Sequence, residues 1–563
     1  MRDSRRIPRS LAVLALAAVV LSACGGAAAP TATTASPAAT AAAATPTRSA
    51  AVQPTPTATP AVAASTPTPR VAASRGKIVY AKPVDLGRTN IYAVGGAGGP
   101  DNPFTSGMYA GLTAKDLEGK LVPYVASKWE SSADGLLLDF TIRQGAFFQD
   151  GTPVTAADVA FSGERYLGQV PPPIRAVLPT KIEQIAPDKV RFTFPEPDPT
   201  FASQVLVIGS GGLGIIPKAY WESVGGTEGF SKAPIAAGPY RLAQRFPADK
   251  VIFEAHEKFF TGPPAVKTID FRITPEDSTR TAMFRTSEAD ISESIAPQYL
   301  SDLEKLPGAK ILTVRSGQEV VINILQFHEK IPGTDLANPF RDIRVRKALS
   351  HAVDKKAIVE RIAGRGGVAV KGPYSTYHSG ADPDNITDYE YNPEKAKQLL
   401  REANFPFDMT VPVYAYIASA PAPQAVEAFT NYLQAVGIKA QYRLVEVSSL
   451  IRLWRAKEAW PMSFVRSWSV VEDPGSHYQS YMWSKGGSSF YNDPAMDQIF
   501  DEFRKARTDD KYLEGTKKLF HYIHDQALVV DLYAIVDNHG IGPKVDWRYP
   551  PGLPARLEWI TWR

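Results

Sequence analysis

Two short motifs in the sequence could support chemistry, and neither has its full context. Gly209-Ser210-Gly211-Gly212-Leu213-Gly214 has the spacing of a dinucleotide-binding loop and follows the apolar stretch Val205 to Ile208. A helix should open there on the pyrophosphate, but Ile215-Ile216-Pro217 follows, so we interpret the segment as an ordinary loop. The sequence has no G-x-S-x-G, H-E-x-x-H or P-loop motif. No catalytic residue is therefore predicted, although a triad built from distant residues would escape this comparison.

The second motif is a pair of histidines, His521 and His524, three residues apart on a predicted helix. That spacing would let both reach one metal ion, but no convincing third ligand accompanies them. We interpret them as surface or packed histidines and predict no metal and no cofactor. Cys24 is the only cysteine, which excludes an intramolecular disulfide and a cysteine-based metal cluster.

The amino terminus has the pattern of an export signal. Four arginines within the first nine residues precede an apolar stretch from Leu11 to Leu21, which is too short to span a bilayer. Leu21-Ser22-Ala23-Cys24 then resembles a lipobox, in which the cysteine becomes the lipidated first residue of the mature protein. We predict that an acylated Cys24 holds the protein on the outer face of the cytoplasmic membrane.

The residues after Cys24 form a tether of biased composition. Ala27 to Arg75 consists almost entirely of Ala, Thr, Pro and Ser, so it has too little apolar surface to fold and favours extended conformations. Residues 1–75 contain seven arginines and one aspartate, so the net charge of +4 for the whole chain becomes −2 for residues 76–563. The remainder has no basic block or basic-aromatic stripe, which argues against a nucleic-acid ligand.

One stretch of the folded part shows a strand, a turn and a helix with their boundary signals, from Leu121 to Ser162. Asp134-Gly135 and Asp150-Gly151 are turn dipeptides. Between them apolar residues alternate as in a strand, at Leu136, Leu138, Phe140 and Ile142. Thr155 stands three residues before Asp158 at the head of a helix, which resembles a capping box with Asp in place of Glu. The stretch predicts a two-stranded unit followed by a helix.

This stretch resembles the signature of family 5 extracellular solute-binding proteins, the oligopeptide-, dipeptide- and nickel-binding receptors of ABC importers. In that family a tryptophan-bearing segment precedes Asp-Gly, then Arg-x-Gly-x-x-Phe-x-Asp-Gly, then Thr-Ala-x-Asp-Val-x-Phe-Ser. The matching residues here are Trp129, Asp134-Gly135, Arg143, Gly145, Phe148, Asp150-Gly151, Thr155-Ala156, Asp158-Val159 and Phe161-Ser162. Weaker matches extend the resemblance from about Lys77 to Leu532, nearly all of the chain after the tether.

Strand and helix signals alternate along the rest of the chain, which indicates an α/β protein. Asp342 to Ala363 has the apolar stripe of one helix, and the pairs Asn392-Pro393 and Asp493-Pro494 predict the starts of two more. Pro423 to Val436 predicts a helix that ends at Gly437 and is followed by a strand from Ile438 to Leu444.

The resemblance implies the periplasmic-binding-protein-like fold, in its large type II version with three subdomains. Two α/β lobes are joined by two crossover segments, which form a hinge, and close on the ligand. By this analogy the chain divides into a signal peptide (1–24), a tether (25–76), lobe 1 (77–297), lobe 2 (298–527) and a return to lobe 1 (528–563), with linkers near Ile295 and Val529.

The family resemblance also locates a solute site, with two departures from its peptide-binding members. Those members pair an aspartate after a Gly-Trp tryptophan with the amino terminus of the peptide, but Val470 or Val471 stands at that place here. Glu472 or Asp473 could replace the aspartate if the shortened loop turns inward, or could be part of a solvated loop. The arginine clamp of dipeptide binders is also missing, since no arginine occurs between Arg401 and Arg443.

Tyr414 and Tyr416 stand where the clamp would be, either facing the solute or filling a strand face in the core. The predicted ligand-binding residues are Trp468 as a stacking wall with Ser469 beside it, Glu472 and Asp473 as polar anchors, Tyr416 opposite, and Asn323 on the strand that leaves the crossover. A zwitterionic dipeptide is therefore less expected than a larger peptide, an oligosaccharide or another polar metabolite.

The sequence thus predicts an exported, lipid-anchored, monomeric receptor of an ABC importer that binds a peptide or similar polar solute and delivers it to permease subunits. A sensor on the same fold would use closure to signal instead of to transport. An extracellular hydrolase, the third alternative, would turn its ligand over instead of releasing it unchanged.

Overall fold

A computed structural model describes residues 73–86, 89–92, 103–169, 178–198, 201–207, 212–374, 378, 380–416, 422–466, 478–479, 481–486, 489–506, 508–550, 553 and 555–563. Several predictions fall outside this part of the chain: the signal peptide, Cys24, nearly all of the tether, and the loop residues Trp468, Ser469, Glu472 and Asp473. No helix in the described ranges is both long enough and apolar enough to cross a membrane.

The described residues form both strands and helices, in an order that mixes runs of strands with strand–helix alternation. This confirms the predicted α/β class. The strands are β1 (Arg75–Lys82), β2 (Thr113–Lys115), β3 (Leu121–Pro123), β4 (Ala126–Ser131), β5 (Leu137–Ile142), β6 (Lys181–Ala186), β7 (Lys189–Thr193), β8 (Tyr240–Phe246), β9 (Lys250–Ala255), β10 (Val266–Ile273), β11 (Ile291–Ser292), β12 (Lys310–Ile324), β13 (Gly367–Val368), β14 (Thr410–Tyr416), β15 (Lys439–Val445), β16 (Met462–Arg466), β17 (Val529–Ile541), β18 (Val545–Trp547) and β19 (Ile560–Trp562).

The α-helices are α1 (Pro103–Met108), α2 (Ala156–Gln169), α3 (Phe201–Gln204), α4 (Lys218–Ser223), α5 (Thr227–Lys232), α6 (Asp277–Arg285), α7 (Pro297–Leu303), α8 (Ile343–His351), α9 (Lys355–Ile358), α10 (Pro393–Glu402), α11 (Ala422–Ala435), α12 (Val447–Arg455), α13 (Pro494–Phe503) and α14 (Asp509–Asp525). Short 3-10 turns lie at Pro339–Arg341, Gly364–Gly366, Pro383–Asn385 and Leu557–Trp559, and a π-helical turn at Val359–Ala363.

The main sheet runs in the order β15-β14-β16-β12-β17-β11-β1-β10-β9-β8, with β13 paired to β17. A separate antiparallel sheet has the order β4-β5-β7-β6. At the centre of the main sheet the long strands β12 and β17 pair antiparallel, from Lys310 opposite Ile541 to Asn323 opposite Val529. Their register shifts between Arg315 and Glu319. These two strands join the two halves of the sheet.

The buried apolar side chains form separate cores, each named here by one member. The Tyr80 core includes Phe271 and Ile541, the Phe140 core includes Phe192, and the Val320 core includes Phe464. Along β12 the cores change within a few residues, because Val314 belongs to the Tyr80 core and Val320 to the Val320 core. The long central strands therefore pass from one core into another.

The predicted linker positions lie on either side of that passage. Ile295 packs in a small separate cluster with Phe284, Leu300 and Leu303. Val529 packs in the Val320 core. The lobe bounds 77–297, 298–527 and 528–563 stay a prediction.

The signature stretch folds as predicted. β5 buries Leu138, Phe140 and Ile142 on one face, where Phe140 stacks on Trp129 at 6.2 Å between ring centroids. The capping box is present at the start of α2: the Thr155 backbone N–H and hydroxyl donate to Asp158 Oδ2 at 3.0 and 2.6 Å. The Asp158 N–H in turn donates to Thr155 Oγ1 at 3.3 Å. Aspartate thus performs the part that glutamate usually plays.

We expect Thr155→Ala to lower the free energy of unfolding by about 1–2 kcal/mol, because an N-cap hydroxyl and its reciprocal bond are lost. Urea unfolding followed by circular dichroism measures the change. Ser127→Ala, on an exposed stretch of β4, is the matched control and should stay within about 0.5 kcal/mol of the parent. Equal effects of the two substitutions would contradict the capping role.

Two predicted helix starts and one predicted helix end are confirmed, and one predicted helix is divided. Asn392 accepts from the Lys395 N–H and Asp493 from the Ala495 and Met496 N–H groups, while Gly437 has a positive φ of 95° just after α11. The helix predicted from Asp342 to Ala363 instead ends at His351 and restarts at Lys355. The Asp354 side chain caps the new start by accepting from the Ala357 N–H. A strong internal cap therefore interrupted an otherwise continuous apolar stripe.

Candidate functional site

The strand directions define one band of the main sheet as the candidate site. β1 runs parallel to β10 and to β11, and β14 runs parallel to β16. β11 ends with Ser292 opposite Gly540, and β16 ends with Arg466 opposite Val320. β11 runs antiparallel to β17 and β16 runs antiparallel to β12, so both carboxyl ends point toward the same middle stretch of the central strands. This stretch consists of Val314–Glu319 of β12 and Ala534–His539 of β17, and we call it the crossing band. Open α/β sheets bind ligands outside the carboxyl ends of their strands.

A buried charge cluster lies at the edge of the Tyr80 core beside the crossing band. The Lys82 ammonium, at the end of β1, contacts both carboxylate oxygens of Glu293 at 2.6 and 2.9 Å. The Tyr80 hydroxyl donates to the same carboxylate at 2.8 Å. Burial pushes the pKa of Glu293 upward, but Lys82, His539 and the hydrogen bonds outweigh it and hold that pKa below its usual value. The cluster is a satisfied ion pair.

His539 occupies the same edge, on β17. Its ring stacks on Tyr549 at 5.8 Å between centroids, and burial lowers its pKa. The charges of Glu293 and Asp537 oppose that shift. Nδ1 of His539 has no hydrogen-bond partner among the described residues. Burial thus favours loss of the imidazole proton, while the neighbouring carboxylates of Glu293 and Asp537 favour keeping it.

Arg280 fixes the ends of two strands that lie on either side of β1 in the main sheet, β10 and β11. It is 1% exposed, and its guanidinium donates to the carbonyl oxygens of Thr274 and Pro275, just after β10, at 2.7 and 2.6 Å. It also donates to the carbonyl oxygens of Glu293 and Ser294, just after β11, both at 3.1 Å, and contacts Asp277. One side chain thus ties the end of β10 to the end of β11, the strand that pairs with β17 beside the crossing band.

On the other side of the crossing band, the Val320 core contains aromatic side chains. Tyr416 is the last residue of β14 and lies parallel to the Phe464 ring at 5.0 Å. It is 5% exposed, so most of its ring packs within the sheet face. Asn323 is 4% exposed and lies opposite Ser463 of β16, which is also opposite Tyr414. Asn323 is therefore level with Tyr414, two residues farther from the band than Tyr416.

Two more buried acids lie on the central strands. Glu319 is fully buried, with His378 Nε2 at 3.6 Å from its Oε1. Asp531 of β17 is 4% exposed and lies opposite Val321. Burial and then the charge of Glu319 raise the pKa of Asp531 well above its usual value, although Lys355 opposes the shift. Lys355 itself contacts both oxygens of Asp388 at 2.9 and 2.8 Å.

The structure tests only part of the predicted site. It places Tyr416 on β14 and Asn323 on β12, two strands of one sheet with β16 between them. The loop with Trp468, Ser469, Glu472 and Asp473 lies outside the described residues, after the end of β16 at Arg466. Sequence reasoning missed the buried charges. A signal existed for Asp531, which interrupts the apolar run Ala527 to Ala534. Lys82 follows the apolar strand Ile78 to Tyr80 in the same way.

Both histidines of the pair contact other residues of the fold. His521 Nε2 lies 2.8 Å from Asp382 Oδ2, and His524 Nε2 lies 3.1 Å from the Thr387 carbonyl oxygen. In the part of the chain that the structure describes, no three His, Cys, Asp or Glu side chains are grouped so that they could hold a metal ion. Of the dinucleotide-like segment, residues 209–211 lie outside the described ranges.

Comparison with known proteins agrees with this geometry. The model of the bacterial extracellular solute-binding proteins, family 5 Middle, matches residues 120–490. The chain is 24% identical over 485 residues to the dipeptide-binding protein of Escherichia coli (strain K12), covering 78% of this chain and 88% of the relative. It is 26% identical over 455 residues to heme-binding protein A of Haemophilus influenzae, covering 75% and 80%.

Solved structures show the same fold. NikA from Brucella suis, in complex with Fe(III)-EDTA, has a TM-score of 0.76 at 19% identity and covers 87% of this chain and 100% of its own. DppA from Helicobacter pylori, in complex with the peptide STSA, has a TM-score of 0.72 at 20% identity and covers 87% and 98%. The fold is thus the two-lobed one of periplasmic binding proteins. With the family model matched over more than half of the chain, the protein belongs to family 5 of the bacterial extracellular solute-binding proteins and is a solute-binding receptor.

Proposed function

We propose that this receptor serves an ABC importer and captures a peptide or a similarly polar solute at the crossing band, between two closing lobes. The observation that carries the proposal is the convergence of strand carboxyl ends on that band from two separate cores. A solute held there contacts both cores, so its binding energy favours the closed arrangement. The closed receptor then delivers the solute to the membrane permease and reopens without covalent chemistry.

The relatives support a peptide-like solute without fixing it. Among the curated relatives are a dipeptide-binding protein and di/tripeptide-binding proteins, but also a heme-binding protein. Solved neighbours were crystallised with a peptide, with Ni(L-His) and with agropinic acid. Without the aspartate and arginine of dipeptide binders, this chain fits longer or blocked peptides, oligosaccharides or other polar metabolites better than zwitterionic dipeptides.

The lobe division at 77–297, 298–527 and 528–563 belongs to the same proposal. β12 packs in the Tyr80 core at Val314 and in the Val320 core at Val320, and this change supports a hinge within the crossing band itself. The paired strands β12 and β17 would bend where their register shifts, so the hinge would lie within the strands and not in a loop. Attachment to the outer face of the membrane through Cys24 and the tether completes the proposal, and mass spectrometry of the membrane fraction tests the acylation of Cys24.

Thermal-shift screening of the purified receptor tests the binding function. The panel contains dipeptides, longer peptides, N-acetylated peptides, opines, oligosaccharides and nickel chelates. A ligand at a hundredfold excess over its Kd should stabilise the receptor by about 2.7 kcal/mol, because only the folded state binds it. Release of the ligand unchanged supports a receptor, whereas its conversion would support the hydrolase alternative. No shift with any polar solute would count against the proposal.

Glu472 and Asp473 are proposed as polar anchors, and their substitution should weaken binding. We expect Glu472→Gln/Asp473→Asn to raise the Kd for a cationic or amine-bearing solute about tenfold or more, since one charge-assisted hydrogen bond contributes about 1.5–3 kcal/mol. Isothermal titration calorimetry measures the change. Glu458→Gln is the matched control, because Glu458 is exposed at the amino end of β16, away from the band. Unchanged affinity in the double variant would assign Glu472 and Asp473 to a solvated loop.

A further inference from the structure

An excess of negative charge is buried on one face of the central strands. Glu319 lies opposite Ala534, and Asp531 lies opposite Val321, so the two acids are diagonal neighbours across β12 and β17. Their exposed fractions are 0% and 4%. Burying one charged carboxylate without a counter-ion is costly, and burying two close together is more so. A proton, a counter-ion or hydrogen bonds reduce that cost.

Several basic groups lie near these acids. Lys355 contacts both oxygens of Asp388. Its charge also lowers the pKa of Asp531. His378 lies beside Glu319 with 3.6 Å between Nε2 and Oε1. His524, on α14, contacts the Thr387 carbonyl and the Asp525 carboxylate. Asp531 thus has the Lys355 charge nearby, but that lysine makes its direct contacts with Asp388.

Asp531 also faces an internal space. A cavity of about 20 Å³ is lined by Asp531 together with Ser350, Lys355, Gly372, Pro373, Asp388, Tyr389, His524, Val529 and Val530. Neither carboxylate oxygen of Asp531 has a hydrogen-bond partner among the described residues. A space of that size holds one water-sized particle. The cavity therefore combines room for one small occupant with an acceptor group that lacks a partner.

We propose that this cavity is a binding site for a single monovalent cation of the Na⁺, K⁺ or ammonium class, with the Asp531 carboxylate as its charged ligand. Hard cations prefer oxygen ligands. The Asp531 carboxylate, which lines the cavity and has no hydrogen-bond partner among the described residues, is such a ligand. A divalent ion is disfavoured, because the Lys355 ammonium lines the same cavity. The cavity borders the crossing band through Glu319, the neighbour of Asp531, and is otherwise lined by residues that include Ser350 of α8, Lys355 of α9 and His524 of α14.

A proton is the competitor for the same position. Burial and the charge of Glu319 favour the protonated form of Asp531. A cation and a proton therefore compete for the Asp531 carboxylate, and cation binding should become stronger as the pH rises. The titratable groups near Asp531 are Glu319 on β12, Lys355 on α9, Asp388 and Tyr389 in the loop before α10, Tyr478, and His524 on α14.

Thermal unfolding of the solute-free receptor in matched chloride salts tests the proposal. At about pH 8, we expect the Tm in NaCl, KCl or NH₄Cl to exceed that in N-methylglucamine chloride of equal ionic strength by about 2 °C or more. The difference should shrink at about pH 5, where the proton competes better. Asp531→Asn should abolish it, whereas the control Asp525→Asn, whose carboxylate is 66% exposed, should keep it.

Equal Tm values in all four salts would overturn the proposal, and so would a cation effect that persists in Asp531→Asn. If that variant does not fold, crystals of the unmodified receptor soaked in Rb⁺ or Tl⁺ decide the matter. An anomalous peak beside Asp531 supports the site, and none there overturns it. Since no solute is present, these outcomes are independent of the proposed import function.

Discussion

Replacing Lys82 by methionine should lower the free energy of unfolding by about 3–5 kcal/mol, because it leaves the Glu293 carboxylate buried without its cation. Lys82 is 4% exposed, and its ammonium lies 2.6 and 2.9 Å from the two oxygens of Glu293. The Tyr80 hydroxyl is the other hydrogen-bond donor to this carboxylate. A neutral methionine of similar length keeps the packing and removes only the charge.

The pH dependence distinguishes loss of charge from loss of packing. The pKa of Glu293 in the folded protein lies below its usual value of 4.5. The stability that Lys82 contributes is therefore fully present above the pKa of unfolded Glu293 and is lost as the pH falls through the lower, folded value. The difference between Lys82→Met and the parent should accordingly shrink in acid. A packing defect would cost the same at every pH.

Urea unfolding across that pH range measures both effects. Lys128→Met is the matched control, since Lys128 also lies on a strand and pairs with Glu130, but the two side chains are 59% and 67% exposed. Surface pairs of this kind contribute about 1 kcal/mol or less. The double variant Lys82→Met/Glu293→Gln should recover part of the loss, because it removes the isolated charge. A Lys82→Met effect no larger than that of Lys128→Met would refute the role assigned to the pair.

Local patterns in the sequence were sufficient for the elements whose signals lie within a few residues. The alternation in β5, the Thr155–Asp158 capping box and the caps at Asn392 and Asp493 depend on neighbours along the chain. The helix after Asp342 was predicted too long because the apolar stripe continued through the internal cap at Asp354. The spacing of apolar residues shows which face of a helix is buried, but it does not show where a side-chain cap starts a new helix.

The candidate site depends on pairings that no local pattern contains. Lys82 and Glu293 are 211 positions apart, and the crossing band exists only because β12 pairs with β17. Buried lysine, glutamate and aspartate look in a sequence like ordinary surface residues. Tyr416 and Asn323 were located through the family resemblance, and their contact with a solute stays a prediction. The lobe bounds stay predictions in the same sense, for the sequence alone does not show where a strand changes core.

Replacing Arg280 by methionine is expected to cost about 3–5 kcal/mol, because several buried carbonyl groups would lose their donor at once. The Arg280 guanidinium serves the carbonyl oxygens of Thr274, Pro275, Glu293 and Ser294. Each buried acceptor left without a partner costs about 1–3 kcal/mol, with partial relief from local relaxation. The planar fork of arginine reaches several acceptors in fixed directions, so Arg280→Lys should recover only part of the loss.

The same substitution should also loosen the site. Because these carbonyl groups belong to the segments that leave β10 and β11, their release should lower hydrogen-exchange protection there while β4 to β7 stay protected. Arg285→Met is the matched control: Arg285 lies on the same helix, α6, but is exposed, so its substitution should change stability by no more than about 0.5 kcal/mol. If Arg280→Met behaved like Arg285→Met in both urea unfolding and hydrogen exchange, the backbone hydrogen bonds between the strands would be sufficient to hold the strand ends. If instead protection is lost only around the two strand ends, solute affinity should fall with it, since a solute at the crossing band needs those ends in place.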